Sequence, residues 1–568
     1  MRRSNFQIII GFLLLTLFCL PIVAGAQTYY VRPQAEAGTY GAEDGSSYEN
    51  AWNGLNAVQW AKPKEVGKVG PGDTLYVCGL YLHETDDVTP IGGESTDPVS
   101  GSEENNRVVI RGDCPEEQGI IWGGYINNDP AYDWEVENAS QNIYKQKIAN
   151  RPDEDWYFED VNSTHWTVLD KVDSIAEVGN NPGSQYSPDY DFGSYLYLQC
   201  SDSGDPSGRI LIDRPGIGFD ITGDSYITFK NMKFYNTGMP QGGNIVNTTD
   251  ITFNNCTMMY GGSRMISLHY ENGVSGWKIL NCEIAHAGNG IYTISNEANG
   301  ISDYSFNYNY IHDIGVRDSL QNGDAHAIGI QGGENGEIIG NVINNCGSGV
   351  TLYAYTFQTL KNTTVKYNYV KNLHTLGGAN SRGFETCCNN NSLSDKSGNV
   401  FAYNIIQNSK IGLRMQFEDE QKILNNLIID CEYGIYCARS YNDGFNTWGP
   451  SIHLRNNIFY NNKFEDIVYK TSANEPYATI DINYNCFFPS YKSQDVNKGD
   501  QSLIEDPQFV NIIDSDFKLN SNSNIIDKGI DVGINKDFNF ENIIGKPDIG
   551  PFEYQSKIFP PSELRKVK

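Results

Sequence analysis

Residues 401–428 read FAYNIIQNSKIGLRMQFEDEQKILNNLI, and the organisation of the chain follows from them. The segment opens and closes on one hexapeptide: apolar, x, Asn or x, Asn or x, x, apolar. Its copies here are Phe401–Ile406 and Ile423–Ile428. Between them a glycine leads a second short apolar stretch, Gly412-Leu413. Earlier copies begin at Phe229, Phe253, Ile279, Phe306, Ile338 and Val365. Later ones begin at Leu454 and Ile482. Each carries Asn at its third or fourth position. Start-to-start spacing runs from 22 to 36 residues. Self-similarity at such a period means a solenoid. The units are short, β-branched and aromatic, and punctuated by Gly and Asn, which is strand chemistry and excludes a helical solenoid. The second short strand recurs at Gly290-Ile291, Gly349-Val350, Gly383-Phe384 and Gly434-Ile435. Two or three strands per turn, stacked coil on coil, give an all-β parallel β-helix. The recurrent Asn suits a bend, where its side chain bonds a neighbouring backbone group or an Asn one coil away. Uneven spacing means inserted loops, and such loops shape a binding face.

The chain has 568 residues, 41 Lys+Arg and 70 Asp+Glu, for a net charge of −29. That balance argues against nucleic acid and anionic membranes, both of which need a basic footprint. Only 20% of residues are charged, while Gly (57), Tyr (36) and Phe (25) abound, so the chain is not of disordered type. Arg2 and Arg3 precede an apolar run, Ile8 to Leu20, and Ala24-Gly25-Ala26 ends it. This reads as a secretory signal cut after Ala26. A lipid anchor on Cys19 is the rival, and bulky Phe18 stands against it. No later run is long enough to span a bilayer. The expected product is exported, without membrane insertion, and monomeric. Eleven of the 12 cysteines follow the cut, so at least one thiol is free. Many sit in apolar strand patterns and read as buried small hydrophobes.

These coils resemble the right-handed parallel β-helix proteins of the pectate-lyase-like superfamily. Tyr29-Tyr30-Val31, Asp44-Gly45-Ser46-Ser47, Ala51-Trp52 and the run Pro71 to Val77 resemble the opening of many secreted bacterial members. Asp506-Pro507, Phe509, Ile526-Asp527, Gly529 and Pro547 to Tyr554 resemble their closing coil. Residues 120–215 break the period with short aromatic strands and read as an inserted β-sandwich-like module. Some β-helix glycoside hydrolases, xylosidases among them, are interrupted by a β-sandwich near this point. The expected division is a signal at 1–26, an N-terminal cap and first coils at 27–119, the module at 120–215, the β-helix core at 216–500, and a closing coil and tail at 501–568.

Alternation along the second strands predicts a face. Ile266, Ile291, Ile328, Val350, Phe384, Leu413 and Ile435 point inward. The next residue of each then faces out: Ser267, Tyr292, Gly329, Thr351, Glu385, Arg414 and Tyr436. A further outward column holds Gln331, Tyr353 and Gln416. Arg264, Asn289, His326 and Arg382 stand at the turn before it. A face of carboxylates, cations and exposed Tyr suits sugar, since aromatic rings stack on sugar C–H surfaces and polar groups bond hydroxyls. An ordinary Glu–Arg pair on a solvated sheet would look the same.

Three readings follow. A secreted glycoside hydrolase needs two carboxyls. Asp324 and Glu385 lie two coils apart, about 9–10 Å, near the upper limit for inversion. Glu418, with Asp419 and Glu420, lies one coil from Glu385, about 5 Å, as retention requires. His326 would orient Asp324, and His286, His312 and Asp313 could line the same end. Tyr292, Gln331, Tyr353, Arg382, Arg414, Gln416 and Tyr436 would bind a poly- or oligosaccharide. No cofactor is required. The runner-up is a lyase or epimerase on uronate polymers, with Arg382 and Arg414 as base and clamp and Ca2+ held by acidic loops. Against it stand the acidic charge and the lack of Lys on the outward columns. The third is a glycan-binding or surface protein without chemistry.

Overall fold

The computed structural model describes residues 25–83, 96–123, 125–126, 133–148, 157–160, 166–188, 193–212, 219–235, 248–261, 264–270, 274–295, 300–315, 325–354, 358–374, 381–387, 397–416, 421–438, 451–470, 480–494 and 496–555. The expected export signal thus lies almost wholly outside the described residues. No described helix is long and apolar enough to cross a membrane.

Each hexapeptide turns a corner. In the coil from which the repeat was read, Val400–Ala402 belongs to a first sheet and Ile405–Gln407 to a second, with Tyr403 between them at φ 53°. The glycine-led strand Ile411–Met415 belongs to a third. Repetition builds parallel sheets of fourteen, thirteen and eight strands. The protein is a right-handed parallel β-helix.

The third and fourth hexapeptide positions do different work. The third is the bend: Asn231, Asn255, Asn281, Tyr308, Tyr367, Tyr403, Asn425, Asn456 and Tyr484 all hold φ of 53–60°. That left-handed region is one Asn tolerates better than most side chains. The fourth points inward. Asn309, Asn341, Asn368, Asn404, Asn426, Asn457 and Asn485 are all buried. Each accepts at Oδ1 from the backbone N–H of the residue one coil before it. Each donates from Nδ2 to a backbone carbonyl of the preceding coil. This satisfies buried backbone groups that the corner takes out of the sheets. Met232, Cys256 and Cys282 hold the same position in the first coils, so the ladder starts apolar and becomes polar.

The chain leaves and rejoins this stack without breaking it. Ile120–Gly123 pairs with Lys233–Tyr235, and Val108–Arg111 with Ser225–Lys230. Between them, strands from Tyr125–Ile126 to Ile210–Ile212 form a four-stranded antiparallel and a five-stranded sheet. Ile148, Tyr157, Leu169, Leu196, Leu198 and Ile210 give them their own core. Cys78 and Cys114 form a disulfide across the first coils. Of the cysteines described as free, only Cys387 is not buried.

Candidate functional site

The third sheet keeps the register that alternation predicts. Ser267 pairs with Tyr292, Tyr292 with Gly329, Gly329 with Thr351, Thr351 with Glu385, Glu385 with Arg414, and Arg414 with Tyr436. The inward residues Ile266, Ile291, Ile328, Val350, Phe384, Leu413 and Ile435 are fully buried. The sheet then runs one strand further, to Glu465–Lys470, which places Val468 beside Tyr436 and Lys470 beside Ala438. This strand lies beyond the seven that the sequence pattern aligned. The strand escapes the glycine pattern because Asp466 stands where earlier coils have Gly434 or Gly412.

At the centre Glu385 is 1% exposed although it points away from the core. Arg382 Nη1 donates to its Oε2 at 2.7 Å and Arg414 Nη1 to its Oε1 at 2.9 Å. The first pair lies three residues apart on one strand, and the second spans adjacent coils. Gln416, with its amide oxygen turned to Arg414, accepts from Nε at 3.0 Å. Arg382 Nε is buried without a hydrogen-bond partner among the described residues. One carboxylate thus lies between two guanidiniums, of which one keeps an unused donor.

Two coils back, His326 is buried, with its ring parallel to Tyr292 at 6.0 Å and tilted against Tyr353 at 6.5 Å. Its Nδ1 lies 3.0 Å from Thr351 Oγ1, and its backbone N–H donates to Asn289 Oδ1 at 2.9 Å. Arg264 covers the other side of this group, 4.9 Å from the Tyr292 ring centre. A side chain on Gly329 would meet the Tyr292 ring at 2.7 Å, so the glycine is what lets that ring lie flat. Gln331 hydrogen-bonds Gln358 through its Nε2, at 3.4 Å, and Tyr353 donates to the Thr293 carbonyl. Tyr292 and Tyr353 are 7% and 8% exposed, so the expectation of exposed rings fails for both. They pack on each other and on His326, which turns a platform into a wall. Of the three tyrosines expected on this face, Tyr436 alone is half-buried. Sequence reading undervalued Arg264, Asn289 and Thr351. Their place in the same columns was the available signal.

Asp324 and Glu418 lie outside the described residues, as do Asp419 and Glu420. Each adjoins a described part of the site, at Ala325-His326 and after Gln416 respectively. His286, His312 and Asp313 stand at the corner where the second-sheet strands end.

No family model matches the chain, and no curated protein matches it. Among solved structures, it is similar to XylC, determined in complex with xylose. The two share 14% identity over 94% of this chain and 99% of that one, with a TM-score of 0.59. It is also similar to the pectate lyase Pel9A, at 13% identity, 94% and 97% coverage and a TM-score of 0.44. A rhamnogalacturonan lyase follows at 10% identity, 83% and 90% coverage and 0.41. At such identity a likeness speaks of backbone, and in backbone the chain has the parallel β-helix fold.

Proposed function

We propose that the protein is an exported glycoside hydrolase that cleaves a poly- or oligosaccharide lying along the third-sheet face. The observation that carries the reading is Glu385, held on that face by two guanidiniums. Both of its oxygens already accept hydrogen bonds. That suits a nucleophile or base with fixed orientation and leaves the acid role to a second carboxyl. Asp324 and Glu418 are the candidates. Arg382 and Arg414 are positioning residues. A β-helix neighbour that binds xylose supports the substrate class.

The test is turnover on a panel of neutral glycans and uronate polymers, with and without chelator. Reducing ends are read together with the ultraviolet absorbance of unsaturated uronate. The expected result is new reducing ends without that absorbance. Glu385→Gln should lose activity by on the order of 10³-fold at unchanged fold; near-normal turnover would remove Glu385 from the mechanism. The anomer first released names the partner. Retention points to Glu418 and inversion to Asp324.

A second reading, a lyase or epimerase on uronates, has one observation in its favour. Arg382 and Arg414 face a single described carboxylate, Glu385, a local excess of positive charge in an acidic chain. Absorbance rising with the reducing ends would select it.

A further inference from the structure

From the corner beyond the second sheet we infer a binding site for one divalent transition cation, Zn2+ in class, held by His286, His312 and Asp313. One donor atom from each lies within 4.8 Å of the others. The register of the β-helix brings them together. Ala285 pairs with His312 on the next coil, so the residues that follow, His286 and Asp313, stand above one another. The inference does not depend on the glycan reading.

The corner itself shows what is unusual here. The residue after eight consecutive second-sheet strands holds a left-handed conformation: Tyr260, His286, Asp313, Asn345, Asn372, Asn408, Asp430 and Asn461, with φ of 53–62°. Along most of this stack Asn or Asp side chains bond the coil before. Asn372 donates to Asn344, Asn408 to Asn372, and Asn461 to Asp430. His286 puts an imidazole into that row. Asp313 Oδ2 lies 2.7 Å from His312 Nδ1. His312 Nε2 is buried and lies 3.5 Å from Glu283 Oε1. Tyr260 stacks on His286 at 5.1 Å and Tyr310 on His312 at 4.3 Å, so both imidazoles are held between rings.

Two imidazoles and a carboxylate are a borderline donor set. It suits Zn2+, Co2+ or Ni2+, whereas Ca2+ takes six to eight oxygens. Three protein ligands leave the fourth tetrahedral position to a water. Such an ion would tie two consecutive coils at the seam with the inserted module, where Phe158 packs on Tyr260 at 5.2 Å.

The experiment uses the full chain without an affinity tag, stripped with chelator and titrated calorimetrically with ZnCl2 and, separately, CaCl2. Binding of one equivalent of Zn2+ and no heat from Ca2+ at the same concentration is expected. Co2+ in place of Zn2+ should show the visible bands of a tetrahedral site. His286→Asn installs the residue this corner prefers, so the variant should melt with the stripped wild type. Its affinity for Zn2+ should drop by about 100-fold or more. His312→Gln is the second variant, read in the same way. No Zn2+ binding by the wild type, or undiminished binding by a folded His286→Asn, would overturn the site.

Discussion

Gly383 has no room for a methyl group. A Cβ there would come within 2.5 Å of Ile406 Cγ2 and 2.6 Å of the Gly412 carbonyl. The same collision with the next coil's carbonyl recurs at Gly349, Gly412 and Gly434, so the glycine column is a line of closest approach between coils. Gly383→Ala should therefore cost about 2 kcal/mol of stability, read by denaturant unfolding. Activity should fall with it, because Arg382 and Glu385 flank the displaced backbone. A carboxylate, unlike a carboxamide, can satisfy both guanidiniums at once. Glu385→Gln should thus also release Arg414, which an increase in the salt sensitivity of binding or turnover would report. Glu385 was legible in the sequence because parity along a strand is rigid: once Phe384 faces in, Glu385 faces out. What parity leaves open is how far an outward side chain is covered. Tyr292 and Tyr353 looked like platforms and are walls, because their neighbours on the face, Gly329 and His326, leave space for rings to fold down.

The Asn ladder is the element that defines a coil. Replacing Asn404 by Leu would leave Asn368 N–H and the Val365 carbonyl without partners in a dry interior. A cost of about 3 kcal/mol is expected, read as a lowered denaturation midpoint. The opposite change is also informative. Cys282 sits at the same position, and its own N–H already donates to Asn309. Cys282→Asn should extend the ladder by a rung and leave the thermal midpoint unchanged or raised. A fall of more than a few degrees would show that the first coils are packed for an apolar residue there. These elements were readable because each hexapeptide encodes its own corner, an apolar residue on either side of a left-handed bend. The eighth strand of the third sheet was missed because Glu465–Lys470 has no leading glycine. The segments that carry Asp324 and Glu418 have no period, so in the sequence spacing sets their coil and no pattern speaks for the rest.

At the scale of the whole molecule, burial acts on acids. It pushes Asp224, Asp466, Asp537 and Asp548 up to about 6, and Glu553, which also faces Asp548, up to about 7. In the unfolded chain these groups lose their protons near pH 4. Between about pH 4 and pH 7 the folded chain therefore binds more protons than the unfolded one, and stability falls as pH rises through that window. Net charge of −29 at neutral pH adds self-repulsion in the same direction. The thermal midpoint should be highest near pH 5 and lower at pH 8. A midpoint that climbs from pH 5 to pH 8 would contradict this. Three of the five, Asp537, Asp548 and Glu553, stitch the closing segment. Asp548 accepts from Asp527 and Tyr554, Asp537 from Asn539, Glu541 and Glu553, and Glu553 from Asp548. The ladder they close off has a direction, every amide oxygen looking back to the coil before, and its last rung, Asn485, passes its N–H to Ser502. Nothing along those rungs counts them. A gene that lost or duplicated one whole coil, from one hexapeptide to the next, would encode a protein that still closes, shorter or longer by one storey. Length is therefore the trait in which relatives of this chain should differ most freely, and the stopper at the end is what they should share.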